Sequence, residues 1–177
     1  MSKKVLGAAA IALALCCGLQ ARGQQKPQLT DPEIASVAVT ANQIDVNYGK
    51  IALKKSRNAD IRKFAQTMVT DHSGVITQAV ALAKKLKVVP KTNAVTKQLQ
   101  DGAKATEKKL NGAKGSAFDK AYIDNEVSYH EAVISAVNNV LIPETQNAEL
   151  KALLVKVAPV LQEHLDHAKM VQAAIEK

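Results

Sequence analysis

The chain has 177 residues, 47% of them hydrophobic but only 3% aromatic, with a net charge of +8 at pH 7. That content is too apolar for a disordered chain, and the length suits one domain built on one core. The positive charge is too diffuse for a nucleic-acid surface and leaves, as the partner class it allows, weak contact with an anionic envelope surface.

Lys3 and Lys4 precede an uncharged apolar run from Val5 to Leu19, the pattern of a secretory signal peptide. Ala21-Arg22-Gly23 supplies small residues at the two positions a signal peptidase reads, so cleavage is expected after Gly23. The run is shorter than the ~20 residues a permanent membrane span needs. A lipid anchor on Cys16 or Cys17 is disfavoured, because neither cysteine follows the small residue such processing prefers. Cleavage removes 23 of 177 residues and leaves 154, without a cysteine and so without a disulfide. Lys3, Lys4 and Arg22 take three of the eight net positive charges with them, leaving +5. Residues 24–30 then read as a short linker and 31–177 as the folded domain, exported to the periplasm or the medium and soluble once the signal is gone.

Proline and glycine punctuate the rest, and between these marks the apolar period is helical. A first helix opens at Thr30-Asp31-Pro32-Glu33, a capping box with proline in the first turn, and runs to about Ser56. A second starts after Asn58, carries Ile61, Ala65, Met68, Val75, Ala79, Leu82 and Leu86, and ends before Pro90. The lysine-rich stretch from Lys87 to Gly115 has a weaker helical pattern at Val95, Leu99, Ala103 and Leu110. A third long helix is expected from a capping box at Ser116 and Asp119 to Ile142, with Pro143 stopping it. The fourth starts near Asn147 and continues through Leu150, Leu154, Val157, Leu161, Ala168, Val171 and Ile175. Short links make each pair an antiparallel hairpin, and the 87–115 stretch is long enough to run back along a helix. The predicted fold is all-α: an up-down four-helix bundle with a long crossover, holding a short extra helix, as in ferritin-like proteins.

The inward stripes carry residues that do not belong in a dry core. Asp45 falls on the stripe of the first helix, His72 on the second, Glu126 and His130 on the third, and His164 on the fourth. Asp45 and His72 are about equally far from their link, as are Glu126 and His164 from theirs, so all can share one layer. An unpaired buried carboxylate costs several kcal/mol, roughly the margin of a small domain. Two readings satisfy that constraint. The groups ligate one transition metal, for which this mixture suits zinc, iron, manganese or copper, or they hydrogen-bond to one another as a metal-free polar core. Asp71 and Glu163, each one residue off the stripe, are expected either to orient the adjacent histidines from behind or to lie at the surface. His167, one turn beyond His164, is expected partly exposed and at most behind the layer. Pro159 is expected to kink the fourth helix before His164, and Met68 and Met170 to fill the core.

The segments FAQTMVTDHSGV, FDKAYIDNEVSYHEAVI and PVLQEHLDHA, in this order and spacing, resemble the exported bacterial family catalogued as domain of unknown function 4142. The resemblance spans Asp31 to Ala174 and implies a ferritin-like four-helix fold, with a biochemical activity that the family leaves unassigned. Ferritin-like di-iron proteins carry Glu-x-x-His on two helices. Here the positions three before His72 and His164 are Val69 and Leu161, so an ordinary di-iron centre is not expected. The leading reading is a non-enzymatic exported domain with an envelope or stress-related role. The alternatives are a periplasmic metal-dependent oxidoreductase and a metal-free interaction module of the envelope.

Overall fold

A computed structural model describes residues 28–176. The expected signal peptide, with Cys16 and Cys17, and the linker up to residue 27 lie outside the described residues. Helices α1 (Asp31–Lys55), α2 (Ala59–Leu86), α3 (Ala94–Gly112) and α4 (Gly115–Ala136) follow in order. A π-helical turn (Val137–Leu141) then leads into the single turn α5 (Ile142–Glu144) and the long α6 (Ala148–Ile175). There is no strand among the described residues.

Local chemistry sets most helix starts. The Glu33 carboxylate accepts from Thr30 N at 3.0 Å and Thr30 Oγ1 at 2.7 Å. Asn58 Oδ1 takes the otherwise orphaned N–H groups of Asp60 and Ile61, and Asn147 Oδ1 those of Glu149 and Leu150.

The polar ties between helices define the direction of each. α3 runs beside α1 in the same direction, since Lys91 N donates to Pro32 O, Ser36 Oγ meets Thr96 Oγ1, Asn47 reaches Glu107, and Lys55 Nζ donates to Leu110 O. α4 returns along α1, with Phe118 under Lys55 at one end and Tyr129 Oη donating to Ala41 O further along. α6 starts beside the beginning of α1, where Asp31 accepts from Gln146 N and Asn147 N, and ends near Lys120 through Glu176. The four long helices α1, α2, α4 and α6 thus form an up-down bundle, and α3 is the crossover. At 19 residues it is longer than the expected short helix. Thr96, Ala103 and Leu110, spaced by seven, bury one stripe of it against the bundle.

Two apolar clusters form the core. One, toward the α1–α2 link, holds Tyr48, Phe64, Phe118 and Tyr122 with Ile61, Met68 and Leu110. The other, toward the start of α1, is aliphatic: Ile34, Val37, Val137, Leu141, Leu150, Leu154 and Leu161. α1 and α2 approach closely at Gly49, where a Cβ would stand 2.8 Å from Val69 Cγ2 and 3.0 Å from Ala65 O.

Three local expectations are corrected. The capping box at Ser116 does not form: α4 begins at Gly115, whose φ of +55° makes the tight turn out of α3, and the side-chain oxygen Oδ1 of Asp119 is buried without a partner. Pro143 does not stop the helix. The preceding π turn bonds Ile142 N to Val137 O, a register that accommodates a residue unable to bond the Asn139 carbonyl, and the chain stays helical to Glu144. Met170 is 65% exposed, not core, because the inward stripe of α6 passes through Ala168 and Val171. Met68 is buried as expected, and α6 continues through Pro159.

Candidate metal centre

Between the two apolar clusters lies a polar layer. The 3.6-residue period that turns Tyr48 and Ala52 inward on α1 turns Asp45 inward too, and the same period places His72 on α2, Glu126 and His130 on α4, and His164 on α6. None of the five is more than 5% exposed. They converge: Asp45 Oδ2 lies 3.2 Å from His72 Nε2 and 3.5 Å from His130 Nε2. The ring centroids of His72, His130 and His164 stand 5.1 to 5.7 Å apart. Ligand atoms of His72, His130 and His164 all fall within 4.8 Å of one another, as do those of Asp45, Glu126 and His130, so His130 belongs to both sets.

Each histidine is held through one nitrogen and leaves the other free. His130 Nδ1 donates to the Glu126 carbonyl at 2.9 Å, the oxygen one turn back on its own helix. His72 Nδ1 lies 2.7 Å from Asn42 Oδ1. Because Asn42 spends its amide N–H on Ala38 O, its oxygen faces the ring and His72 must be the donor. His164 Nε2 donates to Asp71 Oδ2 at 3.0 Å. The atoms left over, His72 Nε2, His130 Nε2 and His164 Nδ1, are buried without a hydrogen-bond partner, and so are both oxygens of Asp45 and of Glu126. In a core where buried polar groups are otherwise paired, these lone pairs all address one small region. A space of about 10 Å³ beside Asp45, His72, His130, Asn42 and Tyr129 matches one water or one ion. This arrangement, a bare inner nitrogen with the outer N–H fixed by an acceptor, is what metal-ligating histidines show.

Burial dominates the electrostatics. Desolvation raises Asp45 from an ordinary 3.8 to about 7 and pushes Glu126 well above its ordinary 4.5, where the facing Asp45 charge raises it further. Desolvation lowers His72 from 6.5 to about 3, with His164 and His130 adding to the effect, and lowers His130 to about 4. Empty, the layer therefore favours neutral groups. A cation would favour the deprotonated ones.

The other sequence-derived residues separate. Asp71 comes in from the rim, its side chain 41% exposed, to hold His164. Glu163 is exposed on α6. His167 packs edge-on against Phe64, 5.2 Å between ring centroids, and stands outside the layer. Val69 packs at the Gly49 contact and Leu161 in the aliphatic cluster, so the positions that would carry bridging glutamates serve packing instead. Asn42 escaped the sequence reading. Its signal was its place three residues before Asp45 on the same helix face. Tyr129, edge-on to His130, walls the layer and was missed because it lies off the inward stripe.

The fold and its layer define an all-α bundle with a buried His/carboxylate set. Residues 18–171 match the family described as "Domain of unknown function (DUF4142)", and the chain belongs to that family. No functionally curated protein matches the chain by sequence. Among solved structures it is similar to "CopM in the Cu(II)-bound form", with a TM-score of 0.63 and 16% identity over 82% of this chain and 98% of that one.

Proposed function

We propose that the chain is an exported domain that holds one transition-metal ion, copper(II) or zinc(II), in the His/carboxylate layer, and serves the envelope, under stress in particular, by holding metal rather than by turning over a substrate. The observation that carries this reading is the set of three histidines, each anchored through its outer nitrogen, whose inner nitrogens converge with two buried carboxyls. An imidazole-rich set suits copper and zinc better than manganese, and only two carboxyls remain where an ordinary di-iron centre needs four. A structure of like fold is described as Cu(II)-bound, which agrees with this choice. Export rests on the Lys3–Leu19 pattern, and no described helix is long and apolar enough to cross a membrane.

In this reading His72 Nε2, His130 Nε2 and His164 Nδ1 donate lone pairs to the ion, and Asp45 and Glu126 supply the negative charge. Bound there, the cation offsets two buried carboxylates that burial otherwise keeps protonated. Asn42 and Asp71 hold the rings in the ligating tautomer, and Tyr129 shields the layer from bulk water. Burial favours holding over turnover, since a redox enzyme needs an open position that its substrate can reach.

The test is melting with and without copper or zinc, with elemental analysis of the protein as isolated. A hundredfold excess over Kd stabilises the fold by about 2.7 kcal/mol. His72→Ala and His164→Ala should abolish that gain, and His167→Ala should keep it. Melting of the wild type that ignores every metal defeats the proposal and leaves the metal-free module.

A further inference from the structure

The inward stripes of the aliphatic half do not meet. Ala38, Val75, Ala79, Leu82, Val133 and Val157 occupy bundle-facing positions yet are only half-buried. In the other half of α2, Ile61, Phe64, Ala65 and Met68 are fully enclosed, because aromatic rings fill that end. The aliphatic half has no aromatic residue in its core cluster, and slim side chains leave a cavity of about 260 Å³ among α1, α2, α4 and α6. An apolar cavity of ~150 Å³ is already enough to take benzene.

Shape and polarity narrow the occupant. Along α1 the lining extends from Asp31 to Asn42, about 16 Å of helix, so the space is long and narrow. Polar residues touch it only at its ends, and their groups are engaged elsewhere. Asp31 accepts from Gln146 and Asn147, Asn147 caps α6, Asn42 is bound to Ala38 and His72, and the Tyr129 hydroxyl donates to Ala41. Water inside would find no partners, and an alkyl chain needs none. Charge marks the mouth: exposed Lys84, Lys87 and Lys91 flank Leu86 and Val88, which line the cavity at the bundle end. The acids of that end are committed, Glu33 to Thr30 and Lys91, Glu144 to Leu29 N, and Glu149 to Lys85.

We infer that the aliphatic half of the bundle is a binding site for a single unbranched medium-chain fatty acid, its tail lying along the bundle axis toward Asn42 and Tyr129 and its carboxylate among the lysines at the mouth. The site stands on the cavity and does not depend on metal in the layer.

The test is calorimetric titration and thermal melting of the protein with decanoate below its critical micelle concentration. One equivalent should bind and raise Tm. Adamantane carboxylate, the same head on a bulky cage, and decyltrimethylammonium, the same tail on a cationic head, should each bind at least about tenfold more weakly, a loss of about 1.4 kcal/mol. Ala79→Phe, which fills the cavity, should melt at or above the wild-type temperature, keep any metal response and lose decanoate. Leu82→Phe is the second filling variant should the first not fold. Absence of decanoate binding by the wild type, or undiminished binding by a folded filled variant, overturns the inference. A change in metal response bears only on the layer.

Discussion

Asn42→Ala isolates the part of the candidate centre that touches no ion. The substitution removes the only acceptor for His72 Nδ1–H, a 2.7 Å bond to a ring that is 3% exposed. Alanine fits the helix better than asparagine by a few tenths of a kcal/mol, so a loss of stability cannot come from the backbone. Leaving a buried donor unpaired costs about 1–3 kcal/mol. In a domain of this size each kcal/mol is worth roughly 2–4 °C, so the metal-free variant should melt about 2–12 °C lower. The ring is then free to rotate or to carry its proton on Nε2, the nitrogen that faces Asp45. Loss of such an outer partner lowers metal affinity by about 10–100-fold, or about 1.4–2.7 kcal/mol. Competitive titration against a chelator of known affinity reads the second effect and calorimetry the first. A variant that melts like the wild type and binds copper and zinc with unchanged affinity refutes the assignment of the His72 tautomer, and with it the argument that the outer partners prepare the layer.

The layer also sets a pH signature. Asp45 at about 7 and the raised Glu126 keep protons that the unfolded chain releases near 3.8 and 4.5, so their stabilising contribution is full at low pH and is lost as pH rises through the folded values. His72 at about 3 and His130 at about 4 refuse protons that the unfolded chain takes up near 6.5, so theirs is present above 6.5 and lost as pH falls. The two trends offset each other below 6.5. Metal-free protein should therefore lose stability from pH ~6.5 upward, while the gain from zinc grows with pH because binding releases protons; melting curves across neutrality with and without zinc check both, and a gain that shrinks with pH refutes the carboxyls as ligands. Gly49→Ala should destabilise despite its better helix propensity, worth ~1 kcal/mol, since overpacking against Val69 and Ala65 O costs about 1–3 kcal/mol. Adding Val69→Ala should recover most of the loss in denaturant unfolding. Phe64→Ala should cost about 3–5 kcal/mol, whereas Met170→Ala, on an exposed face, should stay within about 0.5 kcal/mol.

The sequence by itself determined which residues turn inward and at what height. Thr30, Asn58 and Asn147 begin their helices because a side-chain oxygen answers backbone N–H groups a few residues away. The period carries Asp45, His72, Glu126, His130 and His164 to one face of each helix, and link lengths carry them to one level; all of this is local or nearly so. Tertiary structure decided what depends on the distance across the bundle. Which nitrogen of each histidine faces its neighbours follows from Asn42, the Glu126 carbonyl and Asp71, and two of those three are on other helices. The echo between Asp71 and Glu163 breaks for the same reason: Asp71 finds a ring across the α2–α6 contact and Glu163 faces outward. Ser116 lost its cap to the tight α3–α4 turn, and Pro143 was absorbed by a π turn, because the ends of α4 must meet α3 and α6 where packing has put them. The cavity was beyond any stripe analysis, since periodicity gives the direction of a side chain, whereas its contact depends on how far away the facing helix stands.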